Sequence, residues 1–145
     1  MKSISCTRRL QFCAGHRVYG HESKCSHLHG HNYVVYIEAQ ADLDAIGRVV
    51  DFSVLKEFYG GWIDRNWDHG FLLWDKDTEA IAAVSACKGV GGCAQKLYLM
   101  PSNPTAENIA EYLRREVGAA FTAQHGIKIV SVRVWETENC YADSR

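Results

Sequence analysis

Apolar and polar positions alternate from the start of the chain. Over residues 2–14 the even positions Ile4, Cys6, Leu10, Phe12 and Ala14 are mostly apolar, and the odd positions Ser3, Ser5, Thr7, Arg9 and Gln11 are polar. This period of two predicts a strand with one buried face. If the alternation runs on through Gly15, His16 falls on the apolar face. Residues 17–28 are polar and read as a loop. Residues 31–41 predict a second strand, in which Tyr33, Val35, Ile37, Ala39 and Ala41 share the parity of His29 and His31. An antiparallel pair joined by the 17–28 loop would bring three imidazoles together on its buried side.

The period then changes. Asp42, Asp44 and Gly47 mark a turn, and Asp51 is placed to cap a helix. Leu55, Phe58, Tyr59, Trp62 and Ile63 follow at the spacing of an amphipathic helix. The run from Asn66 to Gly70 breaks it, and Phe71 to Trp74 predicts a short extended piece. Thr78 to Cys87 predicts a weaker second helix, ended by Gly89, Gly91 and Gly92. Leu97 to Met100 is a short apolar segment. A third helix starts at Asn103-Pro104-Thr105, carries Ile109, Tyr112, Leu113, Val117, Ala120 and Phe121 on its stripe, and stops at Gly126. Residues 127–136 predict a strand with Val130, Val132, Val134 and Glu136 on one face, followed by a short strand from Cys140. The order β-β-α-α-α-β-β predicts an α+β fold with helices on one face of an antiparallel sheet.

A chain of 145 residues fits one domain, residues 1–145, with no internal repeat or linker. The net charge of −1 offers no basic field for nucleic acid or an anionic membrane. No segment approaches a signal peptide or a membrane span, so a soluble cytoplasmic protein is expected. Cys6, Cys13, Cys25, Cys87, Cys93 and Cys140 are then expected to be thiols. Cys87 and Cys93 flank a glycine-rich run without a nearby histidine to complete a metal site.

Four features carry chemistry. His16, His29 and His31 form an all-imidazole set with an open fourth position, the pattern of a catalytic zinc site. His21 and His27 are taken as bystanders. Cys25 has the placement of either a fourth ligand or a reactive thiol. Asp68-His69 supplies an imidazole with a carboxylate to orient it, provided that the chain bends near Gly70. Glu136 would be carried to the edge of a buried surface, where it could accept paired N–H donors of a ligand. Glu107 is expected to serve the dipole of the third helix.

These residues stand in a series of motifs: F-x-A-x-H at Phe12 to His16, C-x-x-x-H-G-H-N-Y at Cys25 to Tyr33, and V-V-D-F at Val49 to Phe52. W-D-H at Trp67 to His69, P-T-A-E-N at Pro104 to Asn108 and V-W-E-T at Val134 to Thr137 continue it. The series resembles the 6-pyruvoyl-tetrahydropterin synthase family over nearly the whole chain. The three-residue gap between Cys25 and His29 is similar to that of its bacterial 6-carboxy-tetrahydropterin synthase branch, which serves queuosine biosynthesis. The segment from Asp75 to Lys96 carries little of the family pattern.

The resemblance implies zinc on His16, His29 and His31, catalysis by Cys25, Asp68 and His69, and a pterin anchored by Glu136. It implies a carbon–carbon lyase that takes 7,8-dihydroneopterin triphosphate to 6-carboxytetrahydropterin, acetaldehyde and triphosphate. The pyruvoyl-forming reaction and a non-catalytic zinc or pterin-binding protein are the alternatives. Arg17, Lys24, Lys88 and Lys96 are candidates for the triphosphate. The implied fold is a four-stranded antiparallel sheet with helices on one side, the tunnelling fold. Sheets from several copies would join into a barrel with sites at subunit interfaces. A homo-oligomer is therefore expected, with a hexamer favoured.

Overall fold

The protein is described by a computed structural model over residues 4–145. The first strand, β1, spans Ser5–His16, and the part of its expected range at residues 2 and 3 lies outside the described residues. It pairs antiparallel with β2, His29–Gln40, in an unbroken register from Ser5 opposite Gln40 to His16 opposite His29. The alternation in both strands is realised as burial: Phe12, Ala14, Tyr33, Val35, Ile37 and Ala39 all enter the core.

The first helix, α1, runs over residues 52–66 as Phe52–Leu55, a π-helical turn Lys56–Gly60 and Gly61–Asn66. Asp51 caps it, its carboxylate accepting from the Ser53 amide at 2.8 Å. Strand β3, Gly70–Trp74, helix α2, Thr78–Ser85, and strand β4, Leu97–Met100, follow. The last helix, α3, covers residues 106–125, again with a π turn, at Leu113–Val117. Thr105 caps it and Gly126, at φ 69°, ends it in the left-handed region. Strands β5, Lys128–Thr137, and β6, Cys140–Ser144, close the chain.

The sheet corrects the expected architecture. It has six strands rather than four, in the order β4-β3-β1-β2-β5-β6. The antiparallel part is β1, β2, β5 and β6, whereas β3 pairs parallel with both β1 and β4. A parallel pair needs a long crossover, and residues 75–96 supply it with α2. The two extra strands are short and continuously apolar, so their sequences lack the alternation that marks a half-buried strand.

The helices also divide between the faces. Residues of α1 and α3, led by Leu55, Tyr59, Ile63, Ile109, Leu113 and Phe121, share the main core with Leu72 and Met100. Leu73 points the other way and packs with Ala80 and Val84 of α2. Helix α2 therefore lies on the sheet face opposite α1 and α3, because the crossover returns on that side. A β-bulge opposite Glu38 and Ala39 makes a further correction. It puts Ile129, not Val130, on the core face and restores the expected parity at Val132 and Val134.

Candidate active site

The register of β1 against β2 sets His16 directly opposite His29, with His31 two residues along the same face. His16 is fully buried. Its Nδ1 lies 2.8 Å from the carbonyl of Pro104, and Nδ1 of His29 lies 2.6 Å from that of His27. A carbonyl only accepts, so each Nδ1 carries the hydrogen, and in the neutral form that binds metal each ring turns a bare Nε2 inward. These two Nε2 atoms are 3.1 Å apart. Tetrahedral zinc with nitrogen ligands separates them by about 3.3 Å. Two facing lone pairs repel unless a cation sits between them, so the donor set fits a metal ion.

His31 completes the set. Its Nε2 is buried and lies 2.9 Å from Oε1 of Glu136, without the alignment of a hydrogen bond. His16, His29, His31 and Glu136 form one group whose ligand atoms lie within 4.8 Å of one another. Burial pushes His16 down to about 4, and the nearby His29 and His31 act in the same sense, outweighing the Pro104 hydrogen bond. Burial also lowers His31, against the pull of Glu136. Both rings are thereby kept neutral, the form that binds metal. The ring nitrogens of His21 and His27 are not in the group.

Cys25 sits on a short 3₁₀ turn, Lys24–Ser26, whose carbonyl at Cys25 accepts from the Val18 amide at 2.8 Å. It shares a cavity of about 720 Å³ with Lys24, His29, His31, Glu136 and Tyr141. Glu107, in the first turn of α3, lines it too. The thiol, the imidazoles and the carboxylate are thus gathered in one hollow.

Asp68 and His69 lie elsewhere. Trp67 is fully buried at the end of α1 and anchors them. His69 has φ 59°, so the bend falls on the histidine itself rather than on Gly70. The turn brings Asp68 Oδ2 to 2.8 Å from His69 Nδ1. Burial raises the Asp68 carboxyl, but the Cys13 amide, the His69 ring and the charge of Lys96 outweigh it and hold it below the usual carboxylate range. The pair meets Cys13, on the β1 face opposite His16, and Cys13 and His69 line a second cavity of about 470 Å³. Within one chain, His69 and Cys25 line different cavities.

Of the candidates for the triphosphate, only Lys24 lines the cavity of Cys25. Arg17 is held by Asp77, itself 1 % exposed, through contacts of 2.6 and 2.5 Å. Lys88 reaches only the Ser85 carbonyl, at 3.4 Å. Lys96 donates to the carbonyls of Asp64 and Asp68 at 2.6 and 2.5 Å, bracing the turn that carries Asp68 and His69. Cys87 and Cys93 are exposed and join no metal-binding group among the described residues.

Several positioning groups escape sequence reasoning. The Pro104 carbonyl that orients His16 offers no side-chain signal. Asn103 binds both the amide and the carbonyl of Tyr19, at 2.9 and 2.8 Å, and Asn108 binds the Asn103 carbonyl. Together they fix the entrance to α3 against the strand that bears His16. The P-T-A-E-N motif was visible as a helix start, but not as a brace for the metal group.

The family profile described as 6-pyruvoyl tetrahydropterin synthase matches residues 5–145. A Rickettsia felis protein named 6-carboxy-5,6,7,8-tetrahydropterin synthase is 40% identical over 97% of this chain and 99% of its own. A Haemophilus influenzae protein of the same name is 28% identical over 94% of this chain and 95% of its own. Among solved structures, an uncharacterised Wolinella succinogenes protein matches with a TM-score of 0.80 at 22% identity, over 99% of this chain and 98% of its own. A Caenorhabditis elegans 6-pyruvoyl tetrahydropterin synthase matches with a TM-score of 0.68 at 22% identity, over 100% of this chain and 96% of its own. The chain belongs to the 6-pyruvoyl tetrahydropterin synthase family.

Proposed function

We propose that this protein is a cytoplasmic, zinc-dependent 6-carboxy-5,6,7,8-tetrahydropterin synthase. It acts as a carbon–carbon lyase in the route to queuosine, converting 7,8-dihydroneopterin triphosphate and water to 6-carboxytetrahydropterin, acetaldehyde and triphosphate. The observation that carries the reading is the pair of bare, inward-facing Nε2 atoms of His16 and His29, 3.1 Å apart, in a group that opens on the cavity holding Cys25. The name carried by the 40%-identical relatives supports the carboxy-forming reaction over the pyruvoyl-forming one.

Zinc, when held by His16, His29 and His31, supplies Lewis acidity at the substrate side chain. Cys25 as thiolate takes and returns protons at the side-chain carbons from its turn above the histidines. Glu136, on the wall of the same cavity, accepts the amino and ring N–H donors of the pterin and sets its orientation. Lys24 at the mouth is suited to the triphosphate. Asp68 orients His69, which exchanges protons on the opposite side of the substrate. In this reading the Asp68-His69 pair meets Cys25 across an interface between copies, because His69 and Cys25 line different cavities in one chain.

Incubation with dihydroneopterin triphosphate tests the reaction. Acetaldehyde and triphosphate are expected together, whereas triphosphate without acetaldehyde would assign the pyruvoyl-forming reaction instead. Cys25→Ala is expected to keep its zinc and lose turnover by about a hundredfold or more. Loss of zinc with unfolding in that variant would make Cys25 a structural ligand.

A further inference from the structure

Residues 17–28, which carry Cys25, join β1 to β2 without a buried residue among them. Apolar burial therefore does little to place this loop, and its position rests on hydrogen bonds. Most of these are internal. The Val18 amide donates to the Cys25 carbonyl at 2.8 Å, and the His21 amide to the Val18 carbonyl at 3.2 Å. Asn103, just before α3, ties the loop to the rest of the molecule. Its Nδ2 donates to the Tyr19 carbonyl at 2.8 Å, and its Oδ1 accepts from the Tyr19 amide at 2.9 Å. Among the described residues it is the one side chain from outside the loop that bonds the backbone of residues 18–26.

Asn103 is itself held. Its carbonyl accepts from the Thr105 amide and from Asn108 Nδ2, both at 2.8 Å. The next residue, Pro104, holds Nδ1 of His16 through its carbonyl, also at 2.8 Å. Consecutive residues at the entrance of α3 thus grip both parts of the site: Pro104 an imidazole of the histidine group, Asn103 the loop that bears the thiol.

We propose that Asn103 is a positioning residue, whose carboxamide sets where the Cys25 thiol stands relative to His16, His29 and His31. This rests on the proton-transfer role given to Cys25 above. The path is short. Asn103 fixes both backbone groups of Tyr19, and the neighbouring Val18 fixes the carbonyl of Cys25. The residue type follows from the bonds. A carboxamide donates and accepts, so one side chain satisfies the amide and the carbonyl of the same residue. An ionised aspartate has the same shape but only accepts, and would set a carboxylate oxygen against the Tyr19 carbonyl.

Alkylation of the zinc-loaded protein by iodoacetamide, followed peptide by peptide, tests the clasp without relying on turnover. In Asn103→Ala, the freed loop is expected to let Cys25 react about threefold faster or more. Cys87 and Cys93, exposed in the segment after α2, are expected to keep their rates. Asn103→Asp is expected to match Asn103→Ala despite its shape. Both are expected to keep the zinc content of wild type, which also reports that they are folded. In product assays both are expected to lower kcat about tenfold or more, with KM within about twofold of wild type. Unchanged alkylation of Cys25 in both variants overturns the hold of Asn103 on the thiol. Faster alkylation with kcat retained overturns its part in the reaction, and loss of zinc in both variants would assign it to the histidine group instead. Wild-type protein without turnover would overturn the reaction proposed above, and the alkylation rates would still decide whether Asn103 places the thiol.

Discussion

His69 is the one non-glycine residue with a positive φ among those described, at 59°. The left-handed region costs an ordinary residue roughly 1–2 kcal/mol, and glycine enters it freely at a cost of about 0.5–1 kcal/mol in chain entropy. His69→Gly is therefore expected to change stability by less than about 1 kcal/mol while abolishing turnover, as paired denaturation and product assays would register. His16 offers a pH test. Its folded pKa, about 4, lies below its ordinary 6.5, so the unfolded chain binds more protons between those values. Stability of the metal-free protein is expected to be intact above about pH 6.5 and to fall as pH drops toward 4. The loss from this group amounts to about 3 kcal/mol at most, and His16→Gln should flatten the slope in a Tm–pH series. Sequence parity was enough to place His16, His29 and His31 on one face, because burial of alternate positions admits one register. It could not reveal the hydrogen bonds of Cys13 to Asp68 and His69, which depend on a turn from a distant segment meeting the other face of β1.

Elements were legible where a period is long. Strands β1 and β2 and the three helices follow from their patterns, and the caps Asp51 and Thr105 do as expected. The π turns did not, because Leu55, Phe58, Tyr59, Trp62 and Ile63 keep ordinary α-helical spacing across the first of them. One of them has a visible use: the Leu113 carbonyl at its start accepts from the Tyr59 hydroxyl at 3.0 Å, tying α3 to α1. The crossover between β3 and β4 was the least legible part, and it is secured at both ends. Arg17, next to His16, grips Asp77 at the start of α2, and Lys96 braces the Asp68 carbonyl at the start of β4. Removing the carboxylate by Asp77→Ala breaks a buried ion pair and is expected to cost about 3 kcal/mol, read as a lower denaturation midpoint. Lys96→Met is expected to lower kcat about tenfold with KM nearly unchanged, by letting the relay turn move. Lys96→Arg should restore most of it.

At the scale of the whole molecule, the sheet is open at both ends. Strands β4 and β6 each present an edge that no other strand of the described residues covers. Such edges favour pairing with another chain. Cys140 and Tyr141 of β6 also wall the cavity that holds Cys25 and the histidines. The hollow that holds Cys25 therefore borders an edge where a second copy can add. A sequence specifies its own strands but not which strand of another copy lies beside them, so a site shared between copies is an expectation of the family resemblance alone. The consequence is one of mass action. If the relay of one copy serves the thiol of another, active sites exist only in the associated fraction, and activity per chain becomes a function of concentration. Serial dilution in the assay is expected to lower specific activity in step with dissociation seen by light scattering. Mixing inactive Cys25→Ala chains with inactive His69→Gln chains should restore part of the turnover that neither has alone.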